Sequence, residues 1–278
     1  MLSRILRRQW GRNPRILLVP DQWSGSVQEF FHFLFGYFAP LVLWLEAHPG
    51  KAFSVRDCGP MNSWFELLPG APDIEILTPG DMLHLFAARA RPSAVLRGMD
   101  DPTRFHTRKL QRFRSLVLHS NDVLLARTPA LTVIDRQSGG AFNKTAAAEV
   151  PASGRDVRST PNLSQLAASI LESEAEIPWA IVDAVDHSPL DQLRLFSSTS
   201  ILIGQHGAGL ANMIWMPQGG SVVEIRPPRP TYEPPFFRNL AEACGHRYIT
   251  IAQDHDHADV PEVEFATVLM ELLAGESL

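Results

Sequence analysis

The sequence predicts an α/β fold in which a mostly parallel sheet is covered by crossover helices. Three observations predict it. Short apolar runs of strand character alternate with longer segments of helical period. The alternation is cleanest after about residue 128. One buried run ends at a glycine-flanked junction, Gly204 to Gly209, where a helix should begin. At 278 residues, and roughly 150 residues per domain, the chain makes one large domain or two small ones.

Residues 15–19 read as a first strand, and 27–47 as a buried helix. No residue from Phe30 to Leu45 is formally charged, but the run falls short of the roughly 20 residues a bilayer crossing needs. It contains His32, Gly36 and Pro40 and is bracketed by Glu29 and Glu46, so a buried helix kinked near Pro40 is expected. Short strands are expected at 53–55 and 74–77, a helix at 81–88 and a further strand at 116–119. Residues 131–134 begin the second series. It continues with a helix at 163–171, a strand at 179–182 and a helix at 190–196. A strand at 200–204 follows, then a helix opening near Gly207 and a strand at 221–225. A helix at 237–243, a strand at 248–251 and a closing helix at 263–273 complete the chain. Trp179, Trp215 and the pair Phe236-Phe237 are expected in the core, with Trp215 also able to flank a sugar ring. Residues 138–160 lack a firm period, and 227–235 hold five of the 22 prolines, so both are expected to be connections.

Composition narrows the function classes. With 45% hydrophobic and 20% charged residues the chain is neither disordered nor a coiled coil. A net charge of -5 argues against broad nucleic-acid binding, which requires surplus positive charge. Cys58 and Cys244 are too few for a disulfide framework and lack metal-ligand spacing, pointing to a reducing compartment. Arg4, Arg7, Arg8, Arg12 and Arg15 form a basic cluster without the apolar run of a secretory signal behind it. A cytoplasmic location is expected. The cluster is either a solvated arm or a peripheral contact with anionic lipid at the inner face of the membrane.

The most informative segment runs from Ser200 to Pro227. Its glycines let a ligand approach the backbone closely, and the first N–H groups of the following helix favour an anion. His206 and Asn212 could add hydrogen bonds near the same mouth. Glu224, near the end of the next strand, could accept from ribose hydroxyls. The segment thus suits a nucleotide diphosphate. Gly-x-Gly can also mark nothing more than a close strand-to-helix turn, and neither the third dehydrogenase glycine nor a P-loop ending is present.

The block Gln205-His206-Gly207-Ala208-Gly209-Leu210-Ala211-Asn212-Met213, followed by Met216-Pro217 and Gly220-Ser221-Val222-Val223-Glu224-Ile225, resembles the signature of family 61 glycosyltransferases. Three other segments agree in order: Phe30-Phe31-His32 with Pro40-Leu41, Val133-Ile134-Asp135-Arg136 with Asn143, and residues 190–196. The resemblance implies the GT-B architecture of two facing Rossmann-like halves. Residues 1–127 would form the acceptor side and 128–278 the nucleotide-sugar side. It also implies inverting, metal-independent transfer from a nucleotide donor, usually UDP-linked, with no further cofactor. A hydroxyl of a glycan or glycolipid would be the acceptor, in polysaccharide biosynthesis. Gly36 stands where several relatives carry an acidic residue, so a non-catalytic nucleotide-sugar-binding relative is the alternative.

Inverting transfer needs the leaving diphosphate stabilised, the donor oriented and the acceptor hydroxyl deprotonated. Arg136 is the expected phosphate clamp, because a guanidinium matches phosphate oxygens bidentately. His206, Gly207, Ala208, Gly209, Leu210, Asn212 and Glu224 are expected to bind the donor, with Asn143 added by the resemblance. His32 and Asp183 are the catalytic candidates for the base, with Asp186 a rival; either aspartate could instead cap the following helix. Asp254-His255-Asp256-His257 invites a metal but reads as a solvated turn, and no metal site is assigned.

Overall fold

Strand β1 (Ile16–Val19) is followed by helix α1 (Phe30–Ala47), which widens to a π turn over Leu34–Phe38 directly ahead of Pro40. Proline has no N–H and its ring crowds the carbonyl four residues back, and the wider turn lies immediately before it. The Phe35 carbonyl accepts instead from the Met99 N–H at 2.7 Å. Every residue of the turn, Gly36 included, is buried. By length and composition α1 could cross a membrane; in this fold 67% of it is buried against other elements. The structure, a computed structural model, describes residues 16–19, 29–78, 80, 94–99, 101, 103, 105–125, 130–136, 157–229 and 234–276. The basic cluster at Arg4 to Arg15, the helix expected at 81–88 and the site candidate Asn143 lie outside the described residues.

Next come β2 (Phe53–Arg56), a 3₁₀ helix (Gly59–Leu67), β3 (Ile74–Leu77), β4 (Ala94–Arg97) and α2 (Thr107–Ser120). β1 pairs with β4 and β2 with β3, both in parallel. The strand expected at 116–119 lies inside α2 and is corrected here. Leu110, Phe113 and Val117 recur at helical spacing and are buried, while Arg108, Lys109 and Arg112 are exposed. A short apolar run does not distinguish strand from helix until its neighbours set the period.

The second half follows the expected alternation. Its elements are β5 (Ala130–Ile134), α3 (Leu163–Glu174), β6 (Trp179–Val182), α4 (Pro189–Ser197) and β7 (Thr199–Gln205). A 3₁₀ helix (Ala208–Trp215), β8 (Ser221–Arg226), α5 (Phe236–Cys244), β9 (Arg247–Ala252) and α6 (Glu262–Glu276) complete it. The five strands form one parallel sheet in the order β6-β5-β7-β8-β9. The chain moves outward from β5 to β6, returns past β5 to β7, and then continues outward on the other side. That reversal leaves a crevice beyond the carboxyl ends of β5 and β7, the place where open α/β sheets bind ligands.

Both faces of the sheet are covered, which explains the unbroken apolar runs. Val133, Ile201, Ile203, Val223 and Ile225 pack with α3 and α6. Ile134, Leu202 and Val222 face the opposite core, which is continuous with α1 and α2 of the first half. There Trp215, fully buried, stacks on Trp64 with centroids 6.2 Å apart and tilts on Phe113 at 5.3 Å. Trp215 is therefore core and does not flank a sugar. Trp179, expected in the core, is 36% exposed because β6 is an edge strand. Cys58 and Cys244 are free and buried, and burial pushes both thiols up to about 12.

Candidate functional site

The carboxyl ends of β5 and β7 bring together two residues 70 positions apart: Arg136 Nη2 donates to the His206 carbonyl at 3.1 Å. Arg158 Nη1, from the chain leading into α3, donates to the same oxygen at 3.2 Å. The His206 N–H still bonds to Ile225 O at 2.8 Å, so its backbone is fixed by the β8 edge while its carbonyl faces the arginines.

The glycines of the junction have different tasks. A Cβ on Gly207 would lie 1.3 Å from Arg136 Nη2, so the guanidinium rests directly on the bare Cα. Gly204 and Gly209 instead allow the 3₁₀ helix to close on β5, with Ile134 carbons 3.3 and 3.4 Å from where their Cβ atoms would be. Ala208 and Gly209 begin that helix, and the first N–H groups of a helix lack carbonyl partners one turn earlier. Leu210 is buried and its N–H bonds to Gly207 O at 3.0 Å. Gly207→Ala is therefore expected to displace Arg136 and weaken anion binding about tenfold, with the sheet core unaffected. Titration with UDP checks this; unchanged affinity would mean that Arg136 takes no part in binding.

Beside this corner is a buried polar relay. His206 Nδ1 and Glu224 Oε1 are 2.5 Å apart, and the Tyr248 hydroxyl donates to Glu224 Oε2. A carboxylate only accepts, so Nδ1 is the donor. Glu224 is 1% exposed. Its two oxygens serve His206 and Tyr248 inside the protein, a holding task that differs from the ribose contact expected of it. The His206 ring meets the edge of Phe237 at 5.2 Å, and Phe237 meets Phe31 at 5.8 Å. That chain of rings brings the first turn of α1 towards the corner. His32 lies on that turn, with Nε2 3.6 Å from Glu29 Oε2 and its side chain 18% exposed.

Asn212 is fully buried and donates to Gln192 Oε1 at 3.3 Å, tying the 3₁₀ helix to α4. Its side chain thus binds neighbouring helices together. Asp183 caps the short turn Ala184–Asp186 by accepting from Val185 N at 3.2 Å. It also lies close enough to Arg136 to favour the charged guanidinium. Burial is the larger influence and, with Arg158 and Arg229 nearby, pushes the Arg136 guanidinium down to about 10. A desolvated cation with like charges around it gains most from a bound anion.

Arg158 and Arg229, which sequence reasoning left out, complete the cluster together with Asp256, which it read as part of a solvated turn. Asp256 Oδ1 is 3.2 Å from Arg158 Nε and 3.2 Å from Arg229 Nη2. The Asp254-to-His257 run is thus partly spent on arginines, and His257 Nδ1 is 3.0 Å from Ser159 Oγ. Gln205 Nε2 bonds to Ser159 O, Gln253 Oε1 and Asp256 O at 3.0, 2.7 and 3.0 Å. This amide clasp fixes the loop before α3 to the loop after β9. The available signal was topological: loops following parallel strands emerge at one edge, so charges just beyond β5, β8 and β9 converge there.

Comparison with known proteins agrees with the motif. The family model described as Glycosyltransferase 61 matches residues 30–223. Protein O-linked-mannose beta-1,4-N-acetylglucosaminyltransferase 2 from Pan troglodytes, Bos taurus and Homo sapiens is in each case 37% identical over 57 residues. That stretch is 20% of this chain and only 10% of each relative.

Proposed function

The chain belongs to glycosyltransferase family 61, and from that premise we propose that it transfers a sugar from a UDP-linked donor to a hydroxyl of a glycan or glycolipid, with inversion and without a metal ion. One observation carries this reading. Arg136, Arg158 and Arg229 gather at the switch point of the sheet, next to the glycine junction that opens the 3₁₀ helix Ala208–Trp215. As the bond from the anomeric carbon to the diphosphate breaks, negative charge grows on the leaving group. Guanidinium groups already fixed in place stabilise that charge without reorganising.

The His206 ring is held by Glu224, which Tyr248 holds in turn, and its carbonyl is held by Arg136 and Arg158. The proton of the acceptor hydroxyl passes to His32 or Asp183, both carried by elements bordering the corner. Residues 1–127 then form the acceptor side and 128–278 the donor side of a GT-B arrangement. A cytoplasmic enzyme of polysaccharide biosynthesis, touching the membrane through the basic cluster at Arg4 to Arg15, is consistent with the sequence.

The experiment is incubation with a panel of UDP-sugars, following UDP release and transfer to saccharide acceptors. Release that requires both the family motif and an acceptor supports the transferase. Tight UDP binding with neither hydrolysis nor transfer supports the binding-only alternative.

A further inference from the structure

We propose that Asp256 is a built-in competitor for the donor phosphate. It occupies Arg158 and Arg229 in the free protein and releases them when the donor binds, and so sets how tightly the corner takes anions. The inference rests on the donor-site assignment above and adds a residue and a task to it. One oxygen, Asp256 Oδ1, is shared by two guanidinium groups at 3.2 Å each. One carboxylate oxygen is thus divided between two guanidinium groups, and Arg136 feels both arginines as like charges. Asp183 offsets part of this at Arg136. Arg229 Nε is buried and makes no hydrogen bond within the described residues, so the cluster holds donor capacity that Asp256 does not use. A phosphate group, with three acceptor oxygens, matches two forked guanidinium groups better than one carboxylate oxygen does.

The way Asp256 is held makes its side chain removable. Its carbonyl accepts from Ser159 N at 2.9 Å and from Gln205 Nε2 at 3.0 Å. Gln253, on the same turn, bonds to Gln205 and Ser159 at 2.7 and 3.1 Å. The backbone of the turn therefore stays in place whatever the side chain does. The Asp256 side chain is 45% exposed, against 21% for Arg158 and 14% for Arg229. It can rotate into water while the guanidinium groups remain, and a half-exposed ion pair is readily exchanged for another.

The test is Asp256→Asn in the full chain, titrated with inorganic pyrophosphate and with UDP. Asparagine keeps an oxygen for both arginines and removes only the charge. The variant should bind both ligands about tenfold more tightly, with a steeper loss of affinity as salt rises. Unchanged or weaker binding would overturn the proposal, because a residue that only positions the arginines gives that result. A crystal structure of the unmodified protein with UDP supplies a measurement that does not depend on the variant folding. The Asp256 carboxylate should have left both guanidinium groups; finding it still at hydrogen-bond distance overturns the proposal. Tighter pyrophosphate binding by the variant, with no UDP binding by either protein, supports the competition and overturns the nucleotide-sugar assignment instead.

Discussion

Replacing Arg136 with alanine should lower the affinity for UDP about a hundredfold while leaving the protein folded. The magnitude is that of the bidentate, charge-assisted contact with phosphate proposed for Arg136. Hydrogen bonds to charged groups contribute roughly 1.5–3 kcal/mol each, and about 2.7 kcal/mol corresponds to a factor of a hundred. The fold should tolerate the change for three reasons. The His206 carbonyl keeps its second donor, Arg158 Nη1. The cluster loses one of three mutually repelling cations. Burial already disfavours the Arg136 charge. Calorimetric titration gives the affinity and thermal unfolding gives the stability. Unchanged UDP affinity would remove Arg136 from the site, and a collapse in stability would make it a structural residue.

The second large effect is expected in the relay. Glu224→Ala should lower the unfolding temperature by roughly 10 °C, because His206 Nδ1 loses its acceptor in a buried position and the Tyr248 hydroxyl loses its acceptor in a half-buried one. Leaving a buried polar group unsatisfied costs about 1–3 kcal/mol, so two such groups cost roughly 4 kcal/mol together, and each kilocalorie is about 2–4 °C in a chain of this size. Donor binding should fall as well, since the corner hangs on the orientation of His206. Glu224→Gln retains a carbonyl oxygen for one of the two donors and should lose about half as much. An alanine variant that melts with the unmodified protein would contradict the relay.

The two variants also separate what sequence could reveal from what it could not. β5 to β9 were legible because each is a short apolar run between turn residues, the form taken by strands buried on both faces, as β5, β7 and β8 are. The glycine junction was legible because chemistry at a strand end needs small residues within a few positions. Arg158, Arg229 and Asp256 were not, since they come from three separate loops and meet only once the strand order is known. Glu224 shows the same limit in another way. Its place near a strand end was readable, but its partner Tyr248 depends on the register of β8 against β9. In the first half, Leu116-Val117-Leu118 resembled a strand until Leu110 and Phe113 fixed a helical period, and β4 left no distinctive signal.

The central claim is that the corner of β5 and β7 grips a nucleoside diphosphate with guanidinium groups and backbone amides alone. Titration of the unmodified chain with UDP in excess chelator, at a series of salt concentrations, tests it most directly. Saturable binding to one site, undiminished by the chelator and weakening as salt rises, is the predicted result. Binding that appears only when a divalent cation is restored, or no binding at any salt concentration, would contradict it.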